Sequence, residues 1–146
     1  MMTRLECTEQ SFFDKGIIVK DNSLPGSIKA LSSYTDNLVI VDKDKVVDDK
    51  QMYCVLNHEE LHFDYPNTFY PLESFSKSMQ IKAENKIRIK TIRKLLPQKI
   101  FFDSIYKLKY SIEDISDYFS VTEEFIYSAY FYYSQLESWQ RMKEKI

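Results

Sequence analysis

The sequence predicts an α+β fold: a small antiparallel sheet packed on two helices, followed by an α-helical C-terminal subdomain. Three observations lead to it. β-Branched runs gather between Gly16 and Asp42. Apolar residues then recur with helical period in two segments beyond Asp48. Past Pro97, helix-capping chemistry returns without further strand-like runs. With 146 residues, the chain has the size of one domain and buries about two-thirds of its unfolded surface. Residues 1–99 read as the core, and 100–146 as an acidic, helix-turn-helix-like subdomain packed with it as one unit.

Glu6 to Lys15 is predicted as a short helix ended by Gly16. Ile17-Ile18-Val19 and Leu38-Val39-Ile40-Val41 read as strands, and Thr35-Asp36-Asn37 supplies the turn between the second and third segments of the sheet. Asp48 or Asp49 caps a helix that runs to about Asp64, where Tyr65-Pro66 turns the chain. A second long helix spans roughly Ser76 to Leu96. Ser111-Ile112-Glu113-Asp114 forms a capping start, and Ile115 to Ile126 has the cadence of a helix-turn-helix.

Composition narrows the function classes. Apolar residues make up 44% and charged residues 29%, as in an ordinary soluble globular protein. No apolar run approaches the roughly 18 residues of a membrane span, and the first residues lack the apolar stretch of a secretory signal. A cytoplasmic location without membrane contact is expected. Cys7 and Cys54 are too few and too far apart for a disulfide framework. Gly16 and Gly26 alone cannot build a phosphate cradle, which argues against nucleotide-dependent chemistry.

The chemistry-bearing feature is His58-Glu59-Glu60-Leu61-His62, which contains both histidines of the chain. H-E-x-x-H on a helix offers two nitrogen ligands to zinc and a carboxylate to a reacting water. On a helical wheel His58, Glu59 and His62 share an arc with Val55, Leu56 and Phe63, while Asn57 and Glu60 fall on the opposite, outward side with Asp49 and Lys50. Burying three unpartnered ionisable groups costs several kcal/mol, which a bound cation offsets.

A catalytic zinc takes three protein ligands and keeps one position open. Two residues are candidates for the third. Cys54 lies on the same stripe, yet ligands at i, i+4 and i+8 of one helix span about 12 Å, too far for one coordination shell; Cys54 reads as packing. Glu84 falls among Ile81, Ile87, Ile89, Ile92, Leu95 and Leu96 on the second long helix, opposite Lys82, Lys86, Lys90 and Arg93. It is either a ligand or the i,i+4 partner of Arg88.

Three stretches together resemble the ImmA/IrrE family of metallo-endopeptidases: Cys54 to Phe63, Glu84 to Pro97, and Asp114 to Ile126. The resemblance runs from about Gly16 to Tyr133. Its most specific part is the H-E-x-x-H helix joined to a downstream glutamate helix ending in Leu95-Leu96-Pro97. It implies that His58, His62 and Glu84 hold zinc and that Glu59 is the general base. It further implies cleavage of a repressor-type regulator of a phage, mobile element or stress regulon, with a helix-turn-helix repressor as the protein substrate. Leu61 stands where relatives usually have glycine, and Ile87 and Arg88 where they commonly have alanine and an aspartate or asparagine. The alternative reading is a catalytically degenerate member acting as a protein-binding anti-repressor or regulatory module.

Two further expectations concern surfaces. The tyrosine-bearing segment from Tyr65 to Tyr70 lies near enough in sequence to supply an oxyanion donor. From Tyr110 to Gln140 there is no lysine or arginine, and six acidic residues give a formal charge of −6. A phosphate backbone repels such a segment, so direct nucleic-acid binding is not expected, and protein docking or stabilisation is. The aromatic run of the last helix, from Phe125 through Tyr133 to Trp139, either packs inward or meets another surface.

Overall fold

A computed structural model describes residues 1–68 and 76–146. Among them are seven α-helices and one three-stranded sheet. The chain divides into two compact units, Met1–Thr91 and Ile92–Ile146, and the division falls inside a helix.

In the first unit, α1 (Arg4–Asp14) begins two residues before its predicted start. The reason is a capping box. Thr3 accepts from the Glu6 backbone N–H, and the Glu6 carboxylate accepts from the Thr3 N–H. Gly16, at φ +71°, then reverses the chain into β1 (Ile18–Asp21). β2 (Ala30–Ser33) and β3 (Leu38–Val41) follow, joined by a turn in which Asn37 takes φ +48°.

The sheet is mixed, not antiparallel as expected. Its order is β1-β3-β2, with β1 parallel to β3 (Ile18 opposite Leu38, Asp21 opposite Val41) and β2 antiparallel to it (Ala30 opposite Val41). Burial explains the order. Val39 and Val41 are fully buried, so the most apolar strand takes the centre, while every residue of β1 is exposed. The connection from β1 therefore carries the chain to the far edge of β3. Asp42 and Lys45 pin that connection: the Asp42 carboxylate accepts from the Leu24 N–H at 3.0 Å, and the Lys45 ammonium donates to the Leu24 and Ile28 carbonyls.

α2 (Asp49–Asp64) is capped by Asp48, whose side chain accepts from the Gln51 N–H. Phe12, Ile17, Val39, Val41 and Leu56 form the core of this unit, where α1, the sheet and α2 meet. α1 covers the face of α2 that the wheel assigns to solvent. Asn57 and Glu60 are consequently buried, each about 2% exposed. Both are satisfied: Asn57 donates to Thr8 at 3.2 Å and to the Tyr53 carbonyl at 2.8 Å, and Glu60 accepts from Ser11 at 2.5 Å and lies 3.3 Å from Lys15. Helical α2 thus has two buried faces, one against α1 and one bearing the histidines.

α3 (Lys77–Leu95) follows. Its apolar arc is shorter than the wheel implies, because Ile81 is 52% exposed while Ile87 and Ile92 are fully buried. No helix of the described residues is long and apolar enough to cross a membrane.

The second unit holds α4 (Gln98–Tyr106), α5 (Ile112–Phe119), α6 (Glu123–Ser134) and α7 (Glu137–Glu144). Ser111 and Asp114 form the capping box expected at α5. Ser120 in the left-handed region ends α5, and Thr122 caps α6. The aromatic run expected on one helix is split at Gln135-Leu136. Its two halves turn back on each other, so that Trp139 of α7 stacks on Tyr133 of α6 at an interplanar angle of 3°. Phe101, Phe102, Tyr106 and Tyr130 complete this aromatic cluster. Tyr127 and Phe131 stay exposed.

Tyr133 ties the cluster to the backbone, its hydroxyl donating to the Leu96 carbonyl at 2.7 Å. Tyr133→Phe is expected to cost about 1–3 kcal/mol by orphaning a buried carbonyl, read as a lower urea midpoint. Burial pushes the Tyr133 hydroxyl up to about 12. The folded state prefers the neutral phenol, so this contribution is intact below pH about 10 and lost as pH rises through about 12. The phenylalanine variant should lack that component of alkaline unfolding.

Candidate metal centre

Two helices bring the site together. His58 and His62 stand one turn apart on α2, their ring centroids 5.3 Å apart. Glu84, in the second turn of α3, reaches both: His58 Nε2 lies 2.9 Å from Glu84 Oε2, and His62 Nε2 lies 3.1 Å from Glu84 Oε1. One donor atom from each residue falls within 4.8 Å of the others. His58, His62 and Glu84 could therefore hold a metal ion. Among the described residues no other His, Cys, Asp or Glu group does so.

Burial is graded across the site. His62 is 5% exposed, His58 is half-buried, and the Glu84 side chain keeps 44% of its surface. Burial works to raise the Glu84 carboxyl, but hydrogen bonds from His58 and His62 and their charges outweigh it and hold the group well below the usual carboxylate range. For His58, burial works to lower the imidazole, while the Glu84 hydrogen bond and the charges of Glu59 and Glu84 raise it overall.

Glu59 sits between the two histidines in sequence and is 8% exposed. Burial pushes its carboxyl up, against the pull of His58, of a hydrogen bond from Ser32 and of His62. The Ser32 hydroxyl, on edge strand β2, donates to Glu59 Oε2. Among the described residues, the hydrogen bond to this carboxylate falls on Oε2.

The donor set suits a metal. The Thr68 hydroxyl lies 2.7 Å from the Tyr65 carbonyl, which can only accept, so the hydroxyl proton goes there. Thr68 Oγ1 must then accept from His62 Nδ1–H, at 2.9 Å. With Nδ1–H turned toward Thr68, Nε2 is the ring atom that faces Glu84 Oε1, 3.1 Å away, where a metal ion could be bound by both. Zinc bonds of 2.0–2.1 Å in a tetrahedron set donor atoms about 3.3 Å apart. The His58–Glu84 and His62–Glu84 separations of 2.9 and 3.1 Å, each to a different carboxylate oxygen, fall a few tenths of an ångström short of that, and one donor atom from each of the three residues lies within 4.8 Å of the others.

The chain matches no protein-family model, no curated protein and no solved structure.

Of the residues singled out from sequence, the structure brings His58, His62 and Glu84 together and places Glu59 against Ser32. Cys54 is half-buried and outside the donor cluster. Within the tyrosine-bearing segment, 69–75 lie outside the described residues, Tyr70 among them; the Tyr65 ring lies under the Lys90 ammonium, 3.9 Å from its centroid. Sequence reasoning missed Ser32 and Thr68. Ser32 carries no signal, since its contact spans 27 positions. Thr68 has a weak one, lying in the short 3-10 turn that Tyr65-Pro66 initiates.

Proposed function

We propose that the chain is a zinc-dependent endopeptidase of the ImmA/IrrE type, which hydrolyses a peptide bond in a repressor-type, helix-turn-helix regulator of a phage, mobile element or stress regulon in the cytoplasm. One observation supports this above all others: two imidazoles and a carboxylate from helices 26 positions apart converge on one point, with a buried glutamate alongside. The sequence likeness stated above supplies the reaction class and the kind of substrate.

In this reading His58, His62 and Glu84 hold zinc, which when bound polarises a carbonyl and acidifies water to a pKa of about 7. Glu59 takes the water's proton at Oε1 and returns it to the leaving amine. Ser32 keeps Glu59 Oε2 engaged, so the carboxylate cannot rotate freely away from the reaction. The carboxyl's raised tendency to hold a proton, caused first by burial, brings it closer to the neutral range where one group serves as base and then as acid. No covalent intermediate with the chain is required.

The test is metal content and cleavage together. Purified chain is expected to carry one zinc per molecule and to cut the helix-turn-helix regulator encoded nearest to it at a single position, with cutting abolished by a chelator and restored by zinc. A regulator that is bound tightly but left whole by the zinc-loaded chain would favour the regulatory binding module instead.

A further inference from the structure

We infer that Thr68 is a positioning residue for the metal centre: its hydroxyl holds His62 in the tautomer and ring orientation that present Nε2 to the ion. This rests on the zinc reading above and adds to it a residue from outside the ligand set. Four observations carry it. Thr68 and His62 are 2% and 5% exposed, so water does not compete for their contact. Thr68 Oγ1 lies 2.9 Å from His62 Nδ1, and its own proton is committed to the Tyr65 carbonyl at 2.7 Å.

The far end of this relay is fixed to the backbone. The Tyr65 carbonyl also accepts from the Thr68 N–H at 2.9 Å, and Tyr65, as the C-cap of α2, donates its own N–H to the Leu61 carbonyl at 3.0 Å. Pro66 removes one torsional freedom from the intervening turn. Threonine is therefore held at both its backbone and its hydroxyl, on the same helix end that carries His62. A metal-ligating imidazole needs such a partner on its other nitrogen to fix which nitrogen is bare. His62 is the ligand whose ring is set from behind, by the Thr68 contact at Nδ1 on the side away from Glu84.

The experiment is a zinc titration of the full chain against a chromophoric chelator, for the wild type, Thr68→Ser and Thr68→Val, with circular dichroism on each. Thr68→Ser keeps the hydroxyl and should bind zinc within about threefold of wild type, whereas Thr68→Val keeps the shape alone and should weaken binding about 10- to 100-fold. If Thr68→Val loses its helical signal, Thr68→Ala is titrated in its place by the same criterion. Wild-type affinity in a folded variant lacking the hydroxyl overturns the inference and leaves the zinc site standing. A wild-type chain that takes up no zinc overturns the zinc reading, and this inference with it. Nitrogen-15 NMR of the zinc-loaded wild type gives a check without any variant: a proton on His62 Nδ1 and metal on Nε2 are expected, and ligation through Nδ1 overturns the inference.

Discussion

Glu84→Gln is expected to weaken zinc binding by more than about 100-fold, beyond the range seen when a mere outer-shell partner is lost. Glutamine has almost the volume of glutamate, and the side chain is 44% exposed, so the substitution opens no cavity. What it removes is charge. One carboxylate oxygen faces each imidazole, at 2.9 and 3.1 Å. A neutral amide keeps a single weak oxygen donor and turns an NH2 toward the other ring. Two imidazoles one turn apart then remain, a set short of the three protein ligands that a catalytic zinc uses. Competition against a chelator of known affinity reads the change. Stoichiometric zinc at wild-type affinity in Glu84→Gln would remove α3 from the metal centre.

Legibility of the fold followed the range of the interactions. Local chemistry was readable: a cap for α2 at Asp48 or Asp49, the capping start of α5 from Ser111 to Asp114, and the period that set α3 each act within four residues. The start of α1 is set just as locally, by the spacing of Thr3 and Glu6. Long-range pairing was not readable. Strand runs carry no sign of direction, so the parallel β1–β3 pairing emerges only once Val39 and Val41 claim the centre of the sheet.

The helical wheel failed at Glu60 for a related reason. A wheel finds one apolar face, whereas α2 is covered by α1 on the face that carries Asn57 and Glu60. Polar residues are tolerated there because Thr8, Ser11 and Lys15 of the α1 segment supply their partners. The same limitation hid Ser32 and Thr68. A ligand triad announces itself by residue type and spacing, while the hydroxyls that orient it are ordinary residues whose role exists only in three dimensions.

Glu59→Gln separates holding the metal from using it. Zinc affinity should stay within a few fold of wild type, because Glu59 is outside the donor group formed by His58, His62 and Glu84. The fold should also survive. The amide oxygen of glutamine can still accept the Ser32 hydroxyl, so Ser32 keeps its partner. Peptide hydrolysis, by contrast, should fall by about 10²- to 10⁴-fold, the loss expected when a positioned general base can no longer take a proton. A time course of regulator cleavage by equal amounts of zinc-loaded wild type and variant measures it. Wild-type cutting by the variant would show that the proton goes elsewhere, and loss of zinc would show that Glu59 supports the ligands and does not act on the water. Retained zinc with lost cleavage is the combination that a purely structural glutamate cannot produce, because burial and the Ser32 contact are the same in both chains.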